Sequence, residues 1–177
     1  MKATKYLLIF ILALTVVSCN KNDDDGESNS FLLNAANLAG THALTFLTIN
    51  IEETTEINGI PVTSTISAVG STFQVEIIFL ANGTYTIDGQ YLVTTTVTVA
   101  GQTETDTEII VLDEAGTYSI DANAETIFVS GSGGELGSGT FDITLFNETD
   151  FRFTQTEIIT ANGISGDIVS EYRFKRL

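Results

Sequence analysis

The sequence predicts an all-β fold, an up-and-down antiparallel β-barrel of about 8–10 strands, with a β-sandwich as the alternative. From Leu38 onward Thr, Ile, Val, Phe and Tyr dominate, and apolar residues recur at every second position, the period of a strand with one buried face. Turn residues interrupt this pattern about every ten residues, which favours a meander of hairpins. No amphipathic segment of helical period separates the strands, so parallel βαβ folds are excluded.

The N-terminal region divides into a signal and a tether that precede the barrel. Residues 1–18 have the layout of a secretory signal, with Lys2 and Lys5 before an apolar run of about a dozen residues. That run is shorter than the ~20 residues that span a bilayer. Residues 19–30 are polar and acidic, so we expect a flexible tether that leads into a barrel domain at residues 31–177.

A cysteine stands directly after the signal, in the run Val16-Val17-Ser18-Cys19. This run resembles the lipobox of bacterial lipoproteins, which implies cleavage before Cys19 and acylation of its sulfur and of the new amino terminus. The alternative is an ordinary cleavage site beside an unrelated cysteine. The acidic residues 23–25 resemble the export signal of Bacteroidota surface lipoproteins, and a solvated spacer is the alternative for them. The resemblance implies a lipid-anchored outer-membrane protein, with the cell surface as one location.

The predicted elements follow the chain in order. A short helix is expected over Ser30–Leu38, where apolar residues lie close to helical spacing. The Gly-rich segment Gly131–Gly139 is expected to be a mobile loop, and it lacks the Gly-Lys-Ser/Thr ending of a phosphate-binding loop. The clearest alternating strands, with their turns, are Phe73–Leu80 with Ala81-Asn82-Gly83, Tyr91–Val99 with Ala100-Gly101-Gln102, Phe141–Leu145 with Asn147-Glu148-Thr149-Asp150, Phe151–Phe153, and Glu171–Lys175.

One local repeat is visible. Phe79–Asp88 matches Val111–Asp121 after insertion of one residue, and each copy has a Gly-Thr-Tyr-x-Ile core. Two copies are too few for a solenoid. We therefore expect two equivalent hairpins of one sheet.

These copies, the start Leu38-Ala39-Gly40-Thr41-His42 and the end Tyr172-Arg173-Phe174 together resemble the lipocalin-like domain lipoproteins of Bacteroidota. The resemblance spans Leu38 to Leu177 and implies an up-and-down barrel of the calycin type. His42 stands where that family has Trp, and Arg173 is the positional match of the Arg that packs on this Trp at the barrel floor.

The charge balance excludes whole classes of protein. Seven Lys and Arg face 23 Asp and Glu, a net charge of −16, which removes the basic surface that nucleic-acid binding needs. From Asn22 to Phe151 there is no Lys or Arg. A single Cys excludes a disulfide-stapled fold and any cysteine-built metal site.

No catalytic, cofactor or metal site is predicted. His42 is the only histidine and so the only candidate base for a His-based nucleophilic site, but at the start of a strand we expect a structural or surface role for it. The same count excludes a His-rich metal site. The sequence Glu104-Thr105-Asp106-Thr107-Glu108 places three acids on one face of a strand. They could bind Ca²⁺ or raise a pKa, but without a Gly-bearing calcium loop a solvated polar face is expected, here and at Glu52-Glu53-Thr54-Thr55-Glu56.

The aromatic residues divide the functional hypotheses. Ten of them are predicted on the inner face, where they either fill the barrel or line a pocket. A lined pocket predicts a lipid-anchored protein that binds a small hydrophobic ligand, whereas a filled barrel predicts a non-catalytic interaction module with an envelope protein partner. The ten are Phe73, Phe79, Tyr85, Tyr91, Tyr118, Phe141, Phe151, Phe153, Tyr172 and Phe174.

Overall fold

A computed structural model describes residues 31–57, 59–131, 138–161 and 164–177. The predictions of a signal, of a tether and of lipidation at Cys19 lie outside this part of the chain. The same holds for the middle of the Gly-rich loop, at 132–137, although its ends Gly131 and Gly139 are described and lie in strands.

Eight antiparallel strands form one closed ring in which each strand pairs with its sequence neighbour and the last pairs with the first. This confirms the up-and-down barrel and removes the sandwich alternative. Strands of up to 21 residues are longer than the predicted turn spacing of ten. The elements are α1 Ala35–Leu38, β1 Gly40–Ile57, β2 Ile60–Leu80, β3 Thr84–Val99, β4 Gln102–Asp121, β5 Thr126–Gly131, β6 Gly139–Phe146, β7 Asp150–Ala161 and β8 Ile164–Arg176.

The predicted helix is present but is only one turn long. Asn34 caps α1, and its side-chain oxygen accepts a hydrogen bond from the Asn37 N–H at 2.8 Å. Leu38, at the end of the turn, is fully buried. Within the described ranges, no helix is long and apolar enough to cross a membrane.

The hairpin turns lie where the sequence predicts them. Gly83 has φ +86° and donates its N–H to the Leu80 carbonyl at 3.0 Å. Ala100 and Gly101 have φ of +50° and +80°, the consecutive positive values of a two-residue type I′ hairpin. The Asn147 side chain accepts N–H groups from the residues two and three positions on.

The second copy of the repeat does not form a hairpin, so that prediction is wrong. Residues Val111–Asp121 lie inside the continuous strand β4. Gly116 is required there for close approach and not for a turn, because a Cβ on it would lie 2.3 Å from the Ser130 carbonyl oxygen and 2.7 Å from the Tyr85 ring. The two copies share a local sequence but differ in what packs against their glycine.

The barrel is closed over only part of its height. Strand β5 pairs with β4 from Gly116 to Asp121, and β6 pairs with β7 from Phe151 to Thr154. We call this eight-stranded part the closed half. Beyond it β7, β8, β1, β2, β3 and β4 continue as a curved six-stranded sheet, which we call the open half.

The closed half is filled with aromatic rings. Of the ten aromatic residues predicted to face inward, nine are buried, and Phe73 is partly buried and stacks on Tyr91 at 5.9 Å. Ring centroids in the cluster lie as close as 4.8 Å, between Phe141 and Phe153. The alternation predicted over Phe141–Leu145 would place Leu145 inside with Phe141, and this is wrong. A register shift in β6 leaves Leu145 37% exposed, and Phe146 packs against the core instead.

Candidate functional site

The floor of the closed half is built by β1, β8 and α1. His42 is 1% exposed, and its Nε2 lies 2.8 Å from the Leu38 carbonyl oxygen. Because a carbonyl can only accept, Nε2 carries a proton and donates this hydrogen bond. The Phe79 ring meets the imidazole edge-on at 5.7 Å. Of the two roles expected for His42, structural or surface, the structure shows the structural one.

Arg176, and not Arg173, is the arginine of the floor. Arg176 pairs with His42 across β8 and β1, and its guanidinium donates hydrogen bonds to the carbonyls of Ala39 and Asn37. Arg173 lies on the outer face, where it contacts the Glu171 carboxylate at 2.6 Å. The sequence match to Arg173 was wrong because side chains alternate along a strand, so Arg176 shares the face of the buried Phe174.

Burial lowers the pKa of His42, and the nearby positive charge of Arg176 lowers it further. Near pH 6.5 His42 is therefore protonated in the unfolded chain but not in the folded protein. Protonation of the unfolded chain lowers the free energy of unfolding as the pH falls below that value. We expect the stability difference between wild type and H42Q to shrink by up to ~1.4 kcal/mol per pH unit below pH 6.5. Denaturant titrations between pH 8 and pH 5 measure it, and a constant difference would contradict the assignment.

The inner face of the open half has an apolar middle and two acidic borders. Its middle, on β1, β2 and β3, carries half-buried apolar side chains at the inward register positions, among them Ile49, Ile66 and Val97. Ile49 also packs against the top of the core. Its two borders are the upper parts of β4 and β7, and they carry acids.

The three acids predicted on one face of a strand form the β4 border. Glu104, Asp106 and Glu108 pair with Val97, Thr95 and Val93 of β3 with no register shift. Val93 is buried inside the barrel, so the three carboxylates lie on the inner face as well. All three are exposed, as expected for a solvated face, but the solvated face is the concave one.

Other acids share this concave face. On the opposite border, Glu157 of β7 is inward by register and exposed. In the predicted acidic run of β1, Glu53 points inward, whereas Glu52 and Glu56 are outward and exposed. The four described basic side chains all belong to the closed-half ends of β7 and β8, so the charged side chains in the described part of the open half are all acidic.

A small open cavity marks the tip of the β3–β4 hairpin. Its volume is about 240 Å³, and Val97, Val99, Gln102 and Glu104 line it. All four are inward register positions. The cavity is smaller than the ~300–1,000 Å³ typical of small-molecule sites.

The base of the open half holds a buried phenol and a buried carboxylate. Tyr85 is 1% exposed and Glu114 8% exposed. Burial raises the pKa of Tyr85, and the charge of Glu114 raises it further. Among the described residues the Tyr85 hydroxyl has no hydrogen-bond partner. The sequence analysis missed this pair. Glu114 is two residues from the buried Leu112 in β4, so the alternation of side chains along the strand places both on the inner face.

The outer face carries a second acidic row, formed by Glu76, Asp88 and Asp113 on β2, β3 and β4. All three are exposed, and an open depression of about 600 Å³ lies beside the first two. Like charges directly opposite one another destabilise a sheet, so solvation must offset their repulsion. In the described ranges no group of three His, Cys, Asp or Glu residues could hold a metal ion.

No family model matches the chain, and no curated protein matches it. A solved structure, Ail, the attachment invasion locus protein of Yersinia pestis, aligns with 79% of this chain and 100% of its own at 8% identity. The TM-score of this alignment is 0.22.

Proposed function

We propose that this protein is a lipid-anchored, non-catalytic module of the cell envelope that binds a protein partner through its open half. The exposed, acid-bordered concave face is the observation that carries the proposal. The rings of the closed half already occupy the space that a calyx ligand would need. The interaction module is thus better supported than the small-ligand binder.

Membrane attachment is proposed through a lipid at Cys19, which the run Val16-Val17-Ser18-Cys19 supports. The outward residues of β3 are largely polar and include Asp88, Gln90 and Thr94, while the aromatic rings that fill the closed half face inward. Barrels that contact lipid have the opposite arrangement. We propose the outer membrane as the location, with exposure at the cell surface as one form of it.

We further propose membership of the lipocalin-like lipoproteins. The eight-stranded up-and-down ring, the short leading helix and an arginine at the floor support it. His42 occupies the place of the family's Trp and packs edge-on against Phe79.

Replacing the proposed lipidation residue tests the anchor. We expect C19A to lose membrane attachment or processing, because two or more acyl chains hold a protein stably and each CH₂ adds about 0.8 kcal/mol. Membrane fractionation and the intact mass of the product measure both effects. A C19A protein that matures at the wild-type mass and stays in the membrane fraction would rule out lipidation.

A photo-crosslinking pair tests the binding face. Thr95 is inward in the open half, and its neighbour Thr94 is outward and meets Thr107 at 3.2 Å. With a benzophenone side chain at each position in turn, we expect a discrete protein adduct in cells from position 95 and far less from position 94. Equal yields at both positions, or no protein adduct at 95, would count against a partner on the concave face.

A small hydrophobic ligand is the second candidate, favoured by the apolar residues Val97 and Val99 that line the tip cavity. Native mass spectrometry of protein purified from its own cells tests it. A bound apolar molecule, released by V97D but retained by the outward T96D, would establish this alternative.

A further inference from the structure

The upper part of β4 is a long sheet edge. Residues Gln102–Asp113 pair with β3 on one side, and within the described ranges no strand pairs with them on the other. Every residue from 101 to 109 is exposed, and the outward Ile109 and Val111 are 62% and 67% exposed. Such an edge offers a row of backbone N–H and C=O groups to an added strand.

The side chains along this edge differ strictly between its two faces. Inward positions carry Glu104, Asp106 and Glu108, and the outward positions between them carry Thr105 and Thr107. A strand added to the edge would set every second side chain directly opposite one carboxylate. Opposite charges at such positions stabilise a sheet, and like charges destabilise it.

We propose that the β4 edge binds an extended segment of another protein that carries Lys or Arg at alternate positions and Thr or aliphatic residues between them. The basic side chains would face the three carboxylates, and the intervening ones would continue the outer row of Thr, Ile109 and Val111. This inference rests on the proposed function, since both place the partner at the open half.

The charge of the β4 edge indicates which of three segments binds there: one from a second copy of this chain, residues 132–137, or one from a different protein. A second copy paired antiparallel about Asp106 would set Glu104 opposite Glu108, acid against acid. The chain itself has no Lys or Arg between Asn22 and Phe151, so segment 132–137 cannot supply the complement. The basic segment therefore comes from a different protein.

A synthetic peptide tests the proposal with the whole barrel domain. The probe is Val-Val-Lys-Thr-Lys-Thr-Lys-Thr-Gln, which places its lysines opposite residues 108, 106 and 104. The control peptide, Val-Val-Thr-Lys-Lys-Lys-Thr-Thr-Gln, has the same composition and charge but spreads its lysines over both faces. We expect the probe to bind about tenfold more tightly than the control by fluorescence anisotropy.

Two variants with equal charge change separate the edge from general attraction. E104Q/D106N/E108Q should weaken probe binding about tenfold, whereas E76Q/D88N/D113N, which alters the outer acidic row, should leave it nearly unchanged. Hydrogen exchange should show that amides within 103–113 are unprotected on the edge side in the free protein and protected by the probe. Equal binding of both peptides, equal effects of both variants, or full protection before the probe is added would each overturn the inference.

If the probe peptide does not bind while crosslinking at Thr95 still yields a protein adduct, the binding of a basic segment to the β4 edge is excluded and the proposed function stands. If crosslinking fails as well, the proposed function falls with it.

Discussion

Replacing Phe151 by Ala should destabilise the barrel by about 3–5 kcal/mol and lower its melting temperature by roughly 10–15 °C. Phe151 is 1% exposed, and its ring meets Phe79, Phe153 and Phe174 at 6.1, 5.4 and 6.0 Å. Truncation leaves a cavity that the surrounding rings cannot fill, because each is held by several others. Thermal and urea unfolding measure the loss.

The matched control is Phe128→Ala on β5. Phe128 lies on the outer face and is 47% exposed, so its truncation should cost less than about 1 kcal/mol. F151L keeps most of the volume and provides a folded variant should F151A not accumulate. Equal losses in F151A and F128A would mean that the closed half is not the filled core described above.

Replacing Arg176 by Met should cost about 2–3 kcal/mol. Met keeps much of the side-chain length but donates no hydrogen bond, so the carbonyls of Asn37 and Ala39 lose their guanidinium partner. The Arg176 guanidinium also lies over the Phe31 ring, at 5.4 Å from its centroid. Urea unfolding of the variant measures the cost.

Arg173→Met is the control, because it removes an arginine from the outer face and not from the barrel floor. Arg173 stacks over Phe46 at 4.1 Å and pairs with Glu171, but its side chain is 42% exposed. A partly exposed ion pair contributes little, so its loss should cost below about 1 kcal/mol. R176M should also raise the pKa of His42, visible by NMR in the single imidazole, whereas R173M should not. The reverse ranking of the two variants would restore the sequence-based assignment.

Much of the fold follows from period and turn chemistry. Phe73 to Phe79 alternate with polar or exposed residues, and that parity placed them on the inner face. The strands before Gly83 and Gly101 end in tight turns because glycine adopts positive φ without a steric penalty. These features are local, so the sequence alone was enough to predict them.

The misses depend on what lies across the barrel. Gly116 has the same local sequence as Gly83, but it lies inside β4, where the Ser130 carbonyl and the Tyr85 ring pack against it. The inward direction of Glu104 was available from its parity with Leu112, whereas its polarity predicted only that its face is solvated. Because β5 is short, the concave side of β4 is open to water, so the inward face of this strand is also its solvated face.

The closing pair β1–β8 has a kinetic consequence. Every other pairing joins consecutive strands, so its ends are close along the chain and its hairpin can form within about 1–10 μs. Joining His42 to Arg176 instead requires closure of nearly the whole domain, and that entropy is lost in one event. The seam between the first and last strands is therefore expected to form late during folding and to set its rate.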